Sequence, residues 1–154
     1  MPEAISRLLQ QGSETIVRNW TEKVASDRRV KSDSQLTYLQ LVDHVPQIVE
    51  ELRHALVSGQ PPEAKTLQEG QEHGRQRWRQ GYDLKEVVRE LALLRATLLE
   101  FLDTYRGALP QQSRDQLTVS YRKIDGFIDE EIYRSVEAYL SAPGDPKPGD
   151  GASA

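Results

Sequence analysis

Few side chains in this chain are of types that do chemistry unaided, and their spacing shortens the list. The only imidazoles are His44, His54 and His73. No paired cysteine or HExxH-type frame accompanies them, so they read as ordinary surface or internally satisfied histidines, and no metal ligand is assigned. The chain has no cysteine, which removes thiolate ligands, disulfides and a thiol nucleophile. No serine or threonine is singled out by a positioned base, and no strand precedes a glycine-rich phosphate loop. Asp129, Glu130 and Glu131 form a charge run, expected as a solvated helix face rather than a carboxylate pair. No catalytic residue and no cofactor is therefore assigned. A haem would need an axial histidine facing a large apolar pocket, and two phenylalanines make that pocket poor. A haem or other cofactor-binding globin-like protein is the alternative reading, and a ligand-free dimerisation module is the second.

Polar chemistry concentrates instead around one corner. Arg75, Arg77 and Arg79 interleave with Trp78, a mixture that suits stacking on nucleic acid. With 20 basic against 24 acidic residues and a net charge of −4, a solvated face or intramolecular pairing is the better reading, and no nucleic-acid partner is expected. A second oddity is Arg95. It falls inside the apolar stripe formed by Leu84, Val87, Val88, Leu91, Leu94, Leu98, Leu102 and Tyr105, where a permanent charge needs an acceptor, an edge or a ligand. Two readings stay open. Arg95 pairs internally with an acid such as Asp43, Glu72 or Asp125, or it completes a pocket with His73, Arg77, Trp78 and Tyr82 for a small anionic ligand that shifts the last helix between two packings.

Helices must position these residues. The central one starts at Asp83, with Glu86 three positions on completing a capping box and Tyr82 and Val87 placed as a hydrophobic staple. Gly81 suits a left-handed residue ending the preceding helix, which runs from about Glu63 to Gln80 and carries Leu67, Trp78 and two glycines, Gly70 and Gly74, expected where a neighbour comes close. Upstream, Ile5, Leu8, Leu9, Gly12, Ile16 and Trp20 recur at helical spacing from Pro2 to about Ser26. A second helix is expected from Ser34, broken near Asp43 by Pro46, with Ile48, Val49, Leu52 and Leu56 beyond. A last long helix, about Gln111 to Leu140, turns Leu117, Tyr121, Ile124, Phe127, Ile128 and Ile132 inward. Past Ile128 its stripe drifts, and Ile132, Tyr133, Val136 and Leu140 form a strip predicted to be buried in a homodimer, with the first helix contributing. The tail SAPGDPKPGDGASA offers nothing to bury and is expected to be disordered. The prediction is an all-α bundle of about six helices over residues 1–141, with a tail over 142–154. The N-terminus lacks a signal-peptide pattern and no run approaches a membrane span, so a cytoplasmic protein with no membrane partner is expected.

The order Asp43-His44-x-Pro46, His73-Gly74-x-x-Arg77, Gly81-Tyr82-x-Leu84 and Leu94-Arg95 resembles the N-terminal sensory domain of RsbRD-type RsbT co-antagonists; similar domains precede the transmitter of some bacterial histidine kinases. The resemblance implies a sensory input domain without enzymatic activity, a fold related to the non-haem globins of RsbR proteins, dimerisation, and a signal delivered through the last helix to a kinase or STAS-type module in cis or in trans. It does not supply a ligand. After Leu140 the sequence departs from that pattern, with no phosphoacceptor helix, kinase or STAS domain.

Overall fold

The computed structural model describes residues 2–32, 36–42, 44–59 and 64–142, with the backbone alone at residues 2 and 64–70. Among these residues there is no strand. The chain forms α1 (Pro2–Gln11), α2 (Ser13–Ser26), α3 (Tyr38–Val42), α4 (Val45–Ser58), α5 (Ala64–Arg79), α6 (Leu84–Thr104), a 3-10 turn at Arg106–Ala108, α7 (Gln111–Asp115) and α8 (Leu117–Leu140). The class is all-α. The expected starts at Ser34 and Glu63, the break residue Asp43 and the tail beyond Ala142 lie outside the described residues.

The segments outnumber the expected six because two long helices are interrupted. Gly12 separates α1 from α2, and a Cβ there would run into the ring of Phe101 on α6. The pause in the helix therefore lets α6 press against the chain at its bend. At the other end Pro110 starts a one-turn α7, and Gln116 separates it from α8. The break expected at Pro46 is present: α4 starts at Val45 with the proline in its first turn, where its missing N–H costs nothing.

α6 is the organising element, packing on α2 and α8, while α5 lies along α8 and α1 along α4. Its capping box forms, with the Asp83 N–H donating to Glu86 Oε1 at 2.9 Å. Tyr82 and Val87 are both fully buried in the core. The buried face of α6 includes Glu86, Glu90, Leu93, Thr97 and Phe101. Relative to the apolar stripe read from sequence it is turned by roughly 70°, which carries Arg95 and Val88 to the rim. Tyr105, expected inside, is 45% exposed and tilts against Phe101.

α8 also buries more polar groups than its pattern suggests. Beyond Ile128 its inward face is Glu131, Ser135, Ala138 and Tyr139. Glu131 is thus a correction to the solvated run: it is 3% exposed, while Asp129 and Glu130 remain outside in pairs with Arg95 and Arg134. The small residues have a steric reason. Gly74 of α5 lies against the Ser135 backbone so tightly that a Cβ would collide with it. Two helices approach this closely only where side chains are absent or short. Gly70 shares the expected role but is described in backbone only.

Candidate functional site

The turn between α5 and α6 is fixed by backbone bonds before any side chain acts. Gly81 has φ 85°, and its N–H donates to the Trp78 carbonyl at 3.1 Å while the Tyr82 N–H donates to the Arg77 carbonyl at 3.0 Å. That pair of bonds is a Schellman end with glycine at the left-handed position. It directs Arg77 inward, over the face of Tyr82, with the guanidinium carbon 4.9 Å from the ring centre.

Arg77 is fully buried, and among the described residues its fork makes four hydrogen bonds. Nε donates to Glu90 Oε1 at 2.7 Å, Nη1 to Gln80 Oε1 at 2.7 Å and to the Gln40 carbonyl at 3.0 Å, and Nη2 to the Leu41 carbonyl at 2.5 Å. The two carbonyls belong to the short α3, whose end has no helical donors of its own. Glu90 is equally buried and has His73 Nε2 3.5 Å from the same carboxylate oxygen, an ion pair whenever the imidazole is protonated. Its backbone carbonyl accepts the indole N–H of Trp20 at 2.9 Å. From α8, the Tyr139 hydroxyl donates to the Tyr82 carbonyl at 2.7 Å. One buried polar cluster thereby joins α2, α3, α5, α6 and α8.

Of the residues expected to meet at this corner, His73, Arg77 and Tyr82 do so. Trp78 is half-buried against the core beside them. Arg95 is elsewhere: its side chain is 30% exposed on the α6–α8 rim, with Nη2 2.7 Å from Asp129 Oδ1 and Nε 4.0 Å from Asp125 Oδ1. Asp125 was one of the acids expected opposite it. Glu72, another, pairs instead with Arg75 and Arg79, and Asp43 lies outside the described residues. All three arginines of the basic run are thus held by acids of the same chain. The strip at the end of α8 is mixed: Tyr133 is 59% and Leu140 69% exposed, while Ile132 and Val136 are half-buried.

Glu90 is the residue that sequence reasoning missed. The signal was present, since Glu86 and Glu90 are four apart and Glu90 lies between Val87 and Leu94 on one helical face. Glu86 is a second buried acid, 4% exposed. Besides its cap bond it accepts the Ser32 hydroxyl at 2.8 Å and the N–H groups of Lys31 and Ser32 at 2.6 and 3.0 Å. Burial pushes its carboxyl up, but the amides of Asp83, Ser32 and Lys31 and the Ser32 hydroxyl outweigh that and hold it below the usual range. Glu86 thereby staples the α2–α3 loop to the start of α6.

This geometry defines a helical bundle whose corner is locked by a buried ion pair. The family model of the RsbT co-antagonist protein rsbRD N-terminal domain matches residues 14–143, and the chain belongs to that family, which points to a stress-response signalling domain. The match leaves α1 outside. Comparison with curated proteins and with solved structures finds no match. Among the described residues, no helix is long and apolar enough to cross a membrane.

Proposed function

We propose that the chain is a non-enzymatic, cytoplasmic input domain that senses a stimulus and transmits it through α8 to a separate or downstream kinase or STAS-type module, working as a homodimer. The observation that carries the reading is the bond from Tyr139, near the end of α8, to the carbonyl of Tyr82, whose ring stacks on the guanidinium of the buried Arg77–Glu90 pair. A change in that pair acts directly on the last helical turns of the domain. Buried ion pairs suit such a role where each charged group can exchange one partner for another, because two packings that both satisfy the charges lie close in energy. The exposed Tyr133 and Leu140 supply the face for a second copy.

The absence of cysteine allows clean spin labelling. Nitroxides at His54→Cys on α4 and Glu137→Cys on α8, both exposed positions, report the placement of α8. Tyr139→Phe and, separately, Glu90→Gln are expected to shift or broaden the distance distribution while helicity by circular dichroism is kept. Distributions superimposable on the parent in both variants would remove the latch as the route to α8.

A further inference from the structure

A cleft of about 710 Å³ opens between the α2–α3 loop and the first three turns of α6, well within the range of small-molecule sites. One wall carries Arg28, Arg29 and Lys31, and the other carries Lys85 and Arg89. Asp83 and Glu86 are the acids in its lining. Glu86 is committed to the amides of Lys31 and Ser32 and to the cap, and Arg89 is held by Asp27 at 2.9 Å. Arg28, Arg29 and Lys85 make no ion pair among the described residues. A chain of net charge −4 thus gathers five basic side chains around one concavity, against Asp83 and Glu86 in its lining and Asp27 beside Arg89 and Arg29. Val88 and Ala92 also line the cleft from α6, one helical turn apart.

From this arrangement we infer that the cleft is a binding site for a phosphorylated small molecule of about mononucleotide size, its phosphates bridging Arg28, Arg29 and Lys85 and its organic part resting on Val88 and Ala92. Guanidinium and ammonium groups on opposite walls suit a multivalent anion, whereas a monovalent carboxylate engages one wall only. The capping box occupies the helix axis, so side chains rather than free first-turn amides do the holding. The site deepens the sensing reading and rests on it for its regulatory meaning, but occupancy is measured independently.

Calorimetric titration of the whole chain at low salt, with ATP and with inorganic pyrophosphate and without divalent metal, tests it. Single-site binding of both is expected, weakening as KCl is added. In Arg29→Ala/Lys85→Ala affinity should fall by about tenfold for each cation removed, while Arg122→Ala/Lys123→Ala, an equal charge loss on the exposed face of α8, should stay within about twofold. Ala92→Leu should weaken ATP more than pyrophosphate, because only the nucleotide needs that floor. No saturable binding of either probe overturns the site, as does an equal loss in the α8 control, which would mean diffuse attraction. An acidic decapeptide that binds where both probes fail also overturns it in favour of a protein segment. ATP binding that leaves the α4–α8 distance distribution unchanged upholds the site and counts against the sensing reading alone.

Discussion

Replacing Arg77 by methionine keeps most of the side-chain volume and deletes the charge, so the outcome isolates what the guanidinium does. In the folded protein this takes from Glu90, which has no exposed surface, its permanent counter-ion and leaves only the His73 imidazole beside the carboxylate, and it takes the donors from the Gln40 and Leu41 carbonyls. Breaking one side of a buried pair costs about 3–5 kcal/mol, and for a chain of this size each kcal/mol lowers Tm by about 2–4 °C, a fall of roughly 6–20 °C. The second half of the reasoning concerns the pair as a unit. Arg77→Met/Glu90→Leu no longer buries a lone charge and should recover at least about 2 kcal/mol relative to Arg77→Met, short of full recovery because the α3 carbonyls still lack donors. Urea unfolding followed by circular dichroism gives the three free energies, and hydrogen exchange should show α3 opening first in both variants. An Arg77→Met protein within about 1 kcal/mol of the parent, or a double variant no more stable than the single, would refute the buried pair as described.

Other perturbations separate the remaining features. Glu86 has a depressed pKa, so its contribution is fully present above the ordinary glutamate value and is lost as pH falls through its folded value; urea midpoints should drop in that acid window, and Glu86→Gln should cost about 2–3 kcal/mol at neutral pH and flatten the dependence. Gly74→Ala should destabilise by about 1–3 kcal/mol by forcing α5 from α8, whereas Gly126→Ala, on a part of α8 with nothing near its Cβ, should stabilise by about 0.5–1 kcal/mol. Arg95→Met should stay within about 1 kcal/mol of the parent, as expected of a rim pair; a large loss in thermal melts would return Arg95 to the core. Val136→Glu should sediment as a monomer at concentrations where the parent is dimeric, and a monomeric parent would end the homodimer proposal.

Much of the fold was legible because local rules and tertiary packing agree along most of the chain. The cap at Asp83 and Glu86, the left-handed Gly81 and the break at Pro46 are decided within a few residues by backbone sterics and orphan amides, which sequence spacing exposes directly. The breaks at Gly12 and Gln116 were hidden. Gly12 leaves, by its missing Cβ, the space taken by a Phe101 ring distant in sequence, and nothing in α1 or α2 announces that ring. The site was half legible for the same reason. His73, Arg77 and Tyr82 cluster in sequence around one turn, but the acid that holds them is on the next helix at a position a hydrophobic stripe assigns to its edge. Apolar periodicity counts only apolar residues, and α6 buries Glu86, Glu90 and Thr97 with them. Arg95 was misplaced by the same error in the opposite direction.

Two features of α6 now stand one helical turn apart, and their separation sets what a ligand would have to do. Glu86 and Arg89 border the basic cleft, and Glu90 holds Arg77 and takes the Trp20 indole on its carbonyl. Glu86 is also the residue that pins the α2–α3 loop, so any movement of Arg28 or Arg29 toward an anion pulls on a carboxylate four positions from the latch. Proximity alone transmits nothing. An occupant shifts the α8 equilibrium only by its difference in affinity for the two packings, and a tenfold difference supplies about 1.4 kcal/mol. That is enough to move a nearly balanced pair from even populations to about ten to one, and too little to open a pair whose rupture costs several kcal/mol. A signal passing through this corner, as proposed, would have to leave both charges partnered, with Gln80 and the α3 carbonyls retaining the Arg77 guanidinium while Glu90 turns toward His73, whose Nε2 is 3.5 Å from its carboxylate. Spin-label distances in Glu90→Gln, where the carboxylate charge is gone but a hydrogen-bonding group remains, should then show two populations; a single unshifted one would leave the latch as a structural lock.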